Sequence, residues 1–147
     1  MLQLQRISAP TWAFEPLIDY DKAGGMESRQ AFQSYLPQIL KLVHERMEQF
    51  VNDTEFYRLD ELGEEEDPMA FPETSRLTGA YYLASERYER QERHGISYYQ
   101  LVVTFHFLYP SPITQTNDDY FSLEAWVRIW CDTQDIELMP GLTYAAI

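Results

Sequence analysis

The chain is poor in the residues that carry most site chemistry. Among its 147 residues there is one cysteine and there are three histidines. The lone Cys131 excludes an intramolecular disulfide and makes a reducing, cytoplasmic setting the default expectation. One thiol with scattered imidazoles at 44, 94 and 106 provides no zinc spacing, so no metal is expected. Gly24-Gly25 stand outside any glycine-rich phosphate-loop pattern, and no cofactor is implied. No apolar run approaches the ~20 residues that span a bilayer, and the first eight residues hold no signal-like apolar stretch. Positive charge is scarce as well, with 11 basic residues against 24 acidic and a net charge of −13. Nucleic-acid binding draws on Lys and Arg to displace phosphate counterions, so direct binding of DNA, RNA or anionic lipid is not expected. A basic protein would instead be attracted, and its encounter accelerated.

What the chain does have is aromatic mass: 11 Tyr, 8 Phe and 3 Trp. That composition argues for a packed core and against disorder. The length suits one domain, 1–147, able to bury enough surface to need neither disulfide nor metal. The negative charge is unevenly spread. Residues 1–52 carry five basic and six acidic side chains, whereas 53–73 carry nine carboxylates against Arg58 alone. The stretch 53–73 reads as an acidic loop, broken by Gly63, Pro68 and Pro72, with Phe56, Tyr57 and Phe71 interleaved. Its Glu64, Glu65, Glu66 and Asp67 run lacks the alternating carboxylates and central glycine of a calcium loop.

Periodicity assigns the elements. Leu2, Leu4 and Ile7 suggest a brief edge strand, and Asp19 to Gly25 a loop. Phe32, Tyr35, Leu36, Ile39, Leu40, Val43, Met47, Phe50 and Val51 recur at steps of three and four, the pattern of a long amphipathic helix. Pro37 either kinks that helix or stands in its first turn, leaving 27–35 as a separate short one. Residues 76–92 fit helix or strand; strand is preferred because the next run needs an antiparallel neighbour. A charged hairpin tip then covers Glu89 to Gly95. Residues 96–109 place Tyr99, Leu101, Val103, Phe105 and Phe107 on one face at period two, with Tyr98, Gln100, Val102, Thr104 and His106 on the other. In 120–132, Leu123, Ala125, Val127, Ile129 and Cys131 alternate with Glu124, Trp126, Arg128, Trp130 and Asp132. Ile136 to Met139 suggests a last short strand. The expected fold is α+β: an antiparallel meander of three or more strands in the C-terminal half, with one long amphipathic helix across its aliphatic face.

The second sheet face is the most informative. Trp126 and Trp130 flank Arg128, with His106 on the neighbouring strand facing the same way. Aromatics around a guanidinium suit stacking and cation–π contact, and Trp and Arg are enriched at binding hot spots. Either the N-terminal segment or the tail covers this face as a second small core, or it is a contact surface. The partner-binding candidates are therefore Trp126, Arg128, Trp130 and His106, together with Glu64, Glu65, Glu66 and Asp67 as an electrostatic dock. No catalytic set emerges. By parity Cys131 faces the core, away from His106, and a buried apolar cysteine is inert. Glu124, beside Trp126, could serve as a general acid, but nothing in the sequence singles it out among the 24 acidic residues.

These features lead to a non-enzymatic, acidic protein-binding module: an inhibitor, immunity-type protein, adaptor or secretion chaperone acting on a basic partner, with a homodimer compatible with it. Two rivals remain at this stage. One is a nucleic-acid mimic of phage or mobile-element origin. The other is a small-molecule binder or enzyme using the His106/Arg128 face.

Overall fold

The computed structural model describes residues 2–52, 78–109, 119–138 and 143–146. The acidic stretch 53–73, with Glu64, Glu65, Glu66 and Asp67, lies outside the described residues. The elements run β1 (Gln5–Arg6), β2 (Leu17–Asp19), α1 (Gly25–Gln33), α2 (Leu36–Asn52), β3 (Ala80–Arg93), β4 (Ile96–Tyr109), β5 (Asp119–Trp130), β6 (Ile136–Leu138) and β7 (Thr143–Ala146). This is an α+β fold with two helices and one mixed sheet. Strands β3, β4 and β5 pair antiparallel in chain order. The short strands β1 and β2 run parallel to β3 on its outer side, and β6 and β7 run antiparallel to β5 at the far side.

Of the two readings of Pro37, the second holds: the apolar steps run over two helices, α1 and α2, and not one long one. The Tyr35 amide closes back on the Phe32 carbonyl at 3.0 Å, ending α1, and α2 then carries Pro37 as its second residue. A proline there gives up only an amide that has no partner in the first turn. Phe32, Ile39, Val43, Met47 and Val51 are buried from the two helices. They meet Leu101, Val103, Phe105 and Phe107 of β4 and Leu123, Ala125, Val127 and Ile129 of β5 in one core. Polar contacts fix the register of α2 against the N-terminal segment and β3. The Asn52 side chain accepts from the Leu2 amide and donates to the Leu2 carbonyl, both at 2.9 Å. Glu48 accepts from the Leu4 amide at 3.0 Å. His44 hydrogen-bonds the Tyr81 hydroxyl through Nδ1, while its Nε2 lies 3.7 Å from Glu48. Burial pushes the Tyr81 phenol up to about 12, so it stays protonated and available to that bond.

Three local features depart from simple alternation. Between Leu83 and Ser85 the β3–β4 register shifts, so Ala84 is an extra residue. A bulge of this kind re-phases everything after it. Tyr81 and Leu83 face the core ahead of it, and Glu86 and Tyr88, opposite Val103 and Leu101, face it afterwards. The hairpin tip is only His94-Gly95, both at positive φ (53° and 78°), because β3 stays paired as far as Arg93. The charged run from Glu89 is therefore strand. Finally, β5 ends at Trp130 rather than 132, and the turn that follows leaves Cys131 exposed instead of core-facing.

Candidate functional site

Cross-strand register sets out the face opposite the helices rung by rung. Gln91, Tyr98 and Trp130 share one rung, and Glu89, Gln100, Arg128 and Glu137 the next. Arg87, Val102 and Trp126 follow, and Tyr82, His106 and Ser122 stand further along. Trp126, Arg128 and Trp130 therefore do emerge together, on the side away from the core row. The Arg128 guanidinium lies 4.6 Å from the Tyr98 ring centroid and 5.8 Å from that of Trp130. The Trp130 indole donates to Glu137 at 2.7 Å. Gln100 donates to Glu89 at 2.7 Å, and Lys22 lies 3.9 Å from the same carboxylate. Arg128 is only 8% exposed, yet among the described residues it forms no ion pair. Among the described residues, three buried donor atoms lack a hydrogen-bond partner: Arg87 Nε, Trp126 Nε1 and Arg128 Nε. All three belong to two adjacent rungs of this one face.

His106 shares the face but not the neighbourhood. It stands six residues along β4 from Gln100, roughly 20 Å at the usual strand rise. It hydrogen-bonds the Tyr82 hydroxyl at 3.0 Å, and the N-terminal segment comes up beside it, with Trp12 edge-on to Tyr82 at 6.3 Å. The structure thus groups the indoles with Arg128 and places His106 elsewhere. Cys131 belongs to the opposite end of β4, its amide bonded to the Ser97 carbonyl at 3.0 Å. No thiol–imidazole pair results.

Burial pushes the His106 imidazole down to about 4. An unfolded chain takes up that proton below about pH 6.5, whereas the fold resists it until about pH 4. His106 therefore costs nothing above pH 6.5, and its penalty grows as pH falls through that window. Allowing for partial exposure, the loss is on the order of 1–2 kcal/mol. Urea unfolding at pH 7.5 and 4.5 should show a smaller acid loss for His106→Asn than for the wild type. Equal losses would mean that the imidazole is not held neutral.

No protein-family model, curated protein or solved structure matches this chain. The site is therefore judged on its geometry. Among the described residues, no cluster of three His, Cys, Asp or Glu could hold a metal ion, and no helix is long and apolar enough to cross a membrane.

A second surface escaped sequence reasoning. Of the eight large apolar side chains exposed among the described residues, five fall between positions 12 and 26: Trp12, Phe14, Leu17, Ile18 and Met26. Phe14 is 79% exposed and Leu17 68%. The Ala13 amide closes a turn on the Pro10 carbonyl at 2.9 Å, and Phe14 follows at φ 62°, a left-handed value that bulky side chains rarely adopt. Leu17 stands opposite Ser85 and Ile18 opposite Glu86, so β2 turns an apolar side chain to each face of the sheet. Among the described residues no strand covers its outer edge. The available signal was the pair Pro10 and Pro16 bracketing two aromatics, a proline-pinned loop with little reason to hold them unless they are presented.

Proposed function

We propose that this chain is a non-enzymatic protein-binding module that docks a basic partner, in the manner of an inhibitor, immunity-type protein, adaptor or secretion chaperone. The observation that carries this reading is the apolar edge formed by Trp12, Phe14, Leu17, Ile18 and Met26. Exposed apolar residues scattered singly need no explanation, but large ones concentrated in one short segment, with β2 presenting one to each face of the sheet, suit a protein contact. Aromatics and Met are the residue types that enrich such contacts. The outer edge of β2, unpaired among the described residues, also offers main-chain hydrogen bonds to an extended segment. The net charge of −13 selects the partner's sign. The run Glu64 to Asp67 would act on the encounter rate more than on the contact energy. The indole–guanidinium face stands as a further contact candidate on the far side of the sheet.

The test compares the wild type with Phe14→Asp/Leu17→Asp, each immobilised and offered a soluble cell extract, with retained proteins then purified and titrated. The wild type should hold a basic protein with salt-sensitive affinity. The double variant should bind it at least about tenfold more weakly, given typical losses at anchor residues. Added aspartates favour a basic partner electrostatically, so a loss would come against that attraction, from missing apolar contact and from desolvating the new carboxylates. Neutralising Glu64, Glu65, Glu66 and Asp67 should lower the association rate and flatten its salt dependence. Undiminished binding by the double variant would overturn the assignment of the edge.

A further inference from the structure

We infer that the cleft between α1, β2 and β3 receives a lysine or arginine side chain of that basic partner, with Glu86 as its counter-charge; the identity of the donor as a protein rests on the docking reading above. The cleft measures about 490 Å³. Ile18, Met26 and Leu36 supply apolar walls, and Glu86 and Tyr88 a polar end. Ile18 and Met26 also belong to the exposed edge, so the cleft opens within the proposed contact.

Glu86 is the unusual member. The bulge at Ala84 turns it onto the core face, where it is 7% exposed. It accepts a hydrogen bond from the Tyr88 hydroxyl, and burial holds that phenol protonated, its pKa raised well above the usual value. Among the described residues no cation pairs with the Glu86 carboxylate. Buried carboxylates are ordinarily paired, because desolvating an isolated one costs several kcal/mol. Arg29 lines the same cleft, but its guanidinium lies over the Tyr20 ring, 4.9 Å from the centroid. A lysine or arginine from outside matches both halves of the cleft. Its methylene stem suits Ile18, Met26 and Leu36, and its charged head suits Glu86. A guanidinium fork adds bidentate geometry. A purely apolar group would leave the carboxylate without a counter-charge.

The experiment titrates the full chain with n-butylguanidinium and, separately, with its neutral isostere n-butylurea, following the Ile18 and Met26 methyl signals by NMR. The guanidinium should give saturable shifts, with the urea at least about tenfold weaker, the difference expected of a charge-assisted bond. Glu86→Gln should erase that preference. Arg29→Gln, which removes a like charge from the cleft, should tighten guanidinium binding. The comparison of the two probes on the wild type needs no variant to fold. Equal affinities, or no shift with either probe, overturn the inference. Whether Phe14→Asp/Leu17→Asp loses its partner is read independently, so the docking edge and the cation cleft fail separately.

Discussion

Gly25→Ala should cost the protein at least about 3 kcal/mol and abolish the cleft with it, because the added carbon has nowhere to go. A Cβ at position 25 would stand 2.6 Å from the Tyr20 carbonyl carbon and 2.9 Å from its Cα, and both are backbone atoms. A flexible side chain could yield; main chain entering a helix cannot do so cheaply. The corner is tied on both sides. The Gly25 amide donates to the Lys22 carbonyl at 2.8 Å, and the Arg90 amide to the Ala23 carbonyl at 3.0 Å. Relief of the clash therefore has to break the loop's link to β3 or lift the first turn of α1. The useful control is Gly95→Ala at the hairpin tip. There a Cβ meets no atom within 4 Å, and only the positive φ of 78° is strained. That substitution should cost about 1–2 kcal/mol. Urea midpoints at matched m-values check both. Similar small losses at the two glycines would refute the close approach at position 25.

The opposite sign is expected at Arg128. Arg128→Met should leave the fold as stable as before or raise its stability by about 1–3 kcal/mol. A guanidinium that is 8% exposed has given up most of its hydration. In return it has the faces of Tyr98 and Trp130, and among the described residues its Nε has no hydrogen-bond partner. Cation–π contacts contribute about 0.5–2 kcal/mol, against a desolvation penalty of several kcal/mol for an unpaired ion. Methionine keeps the unbranched stem and contacts the same rings through a polarisable sulfur. Its urea midpoint should rise with m unchanged. A loss above about 1 kcal/mol would show that Glu137, its cross-strand neighbour, compensates the cation through water. A stabilising result would give the residue a role outside folding, as expected of a group kept for contact.

Period two told most of the sheet. Leu101, Val103, Phe105 and Phe107 on β4, and Leu123, Ala125, Val127 and Ile129 on β5, all lie in the core, because an unbroken strand alternates without exception. The indole–arginine face follows from the same rule. Pro37 marked the place where the helical pattern divides. Three things were hidden for physical reasons. The bulge at Ala84 has no side-chain signature, so nothing announced that Glu86 and Tyr88 take over the inward positions from Tyr81 and Leu83. Strands β1 and β2 are two and three residues long and pair in parallel with β3, too short to show a period and dependent on a distant partner. Cys131 was placed inward by counting past the point where pairing ends. Parity means nothing once the ladder stops. The exposed edge at Phe14 and Leu17 was illegible for a related reason: apolar residues near a chain's start read as core until the backbone shows which way they turn.

The extra residue in β3 also bears on how such a site arises and disappears. The depth of Glu86 is a property of backbone phase and not of the carboxylate itself. Pairing straight through Ala84, with no residue lost, would turn Glu86 and Tyr88 to the far face and bring Ser85 and Arg87 inward. Loss of the Ala84 codon would by contrast remove only the extra residue and leave Glu86 and Tyr88 opposite Val103 and Leu101. The acidic end of the cleft is therefore expected to withstand a one-residue deletion at position 84, and to depend on whether the ladder skips that residue rather than on the residue itself.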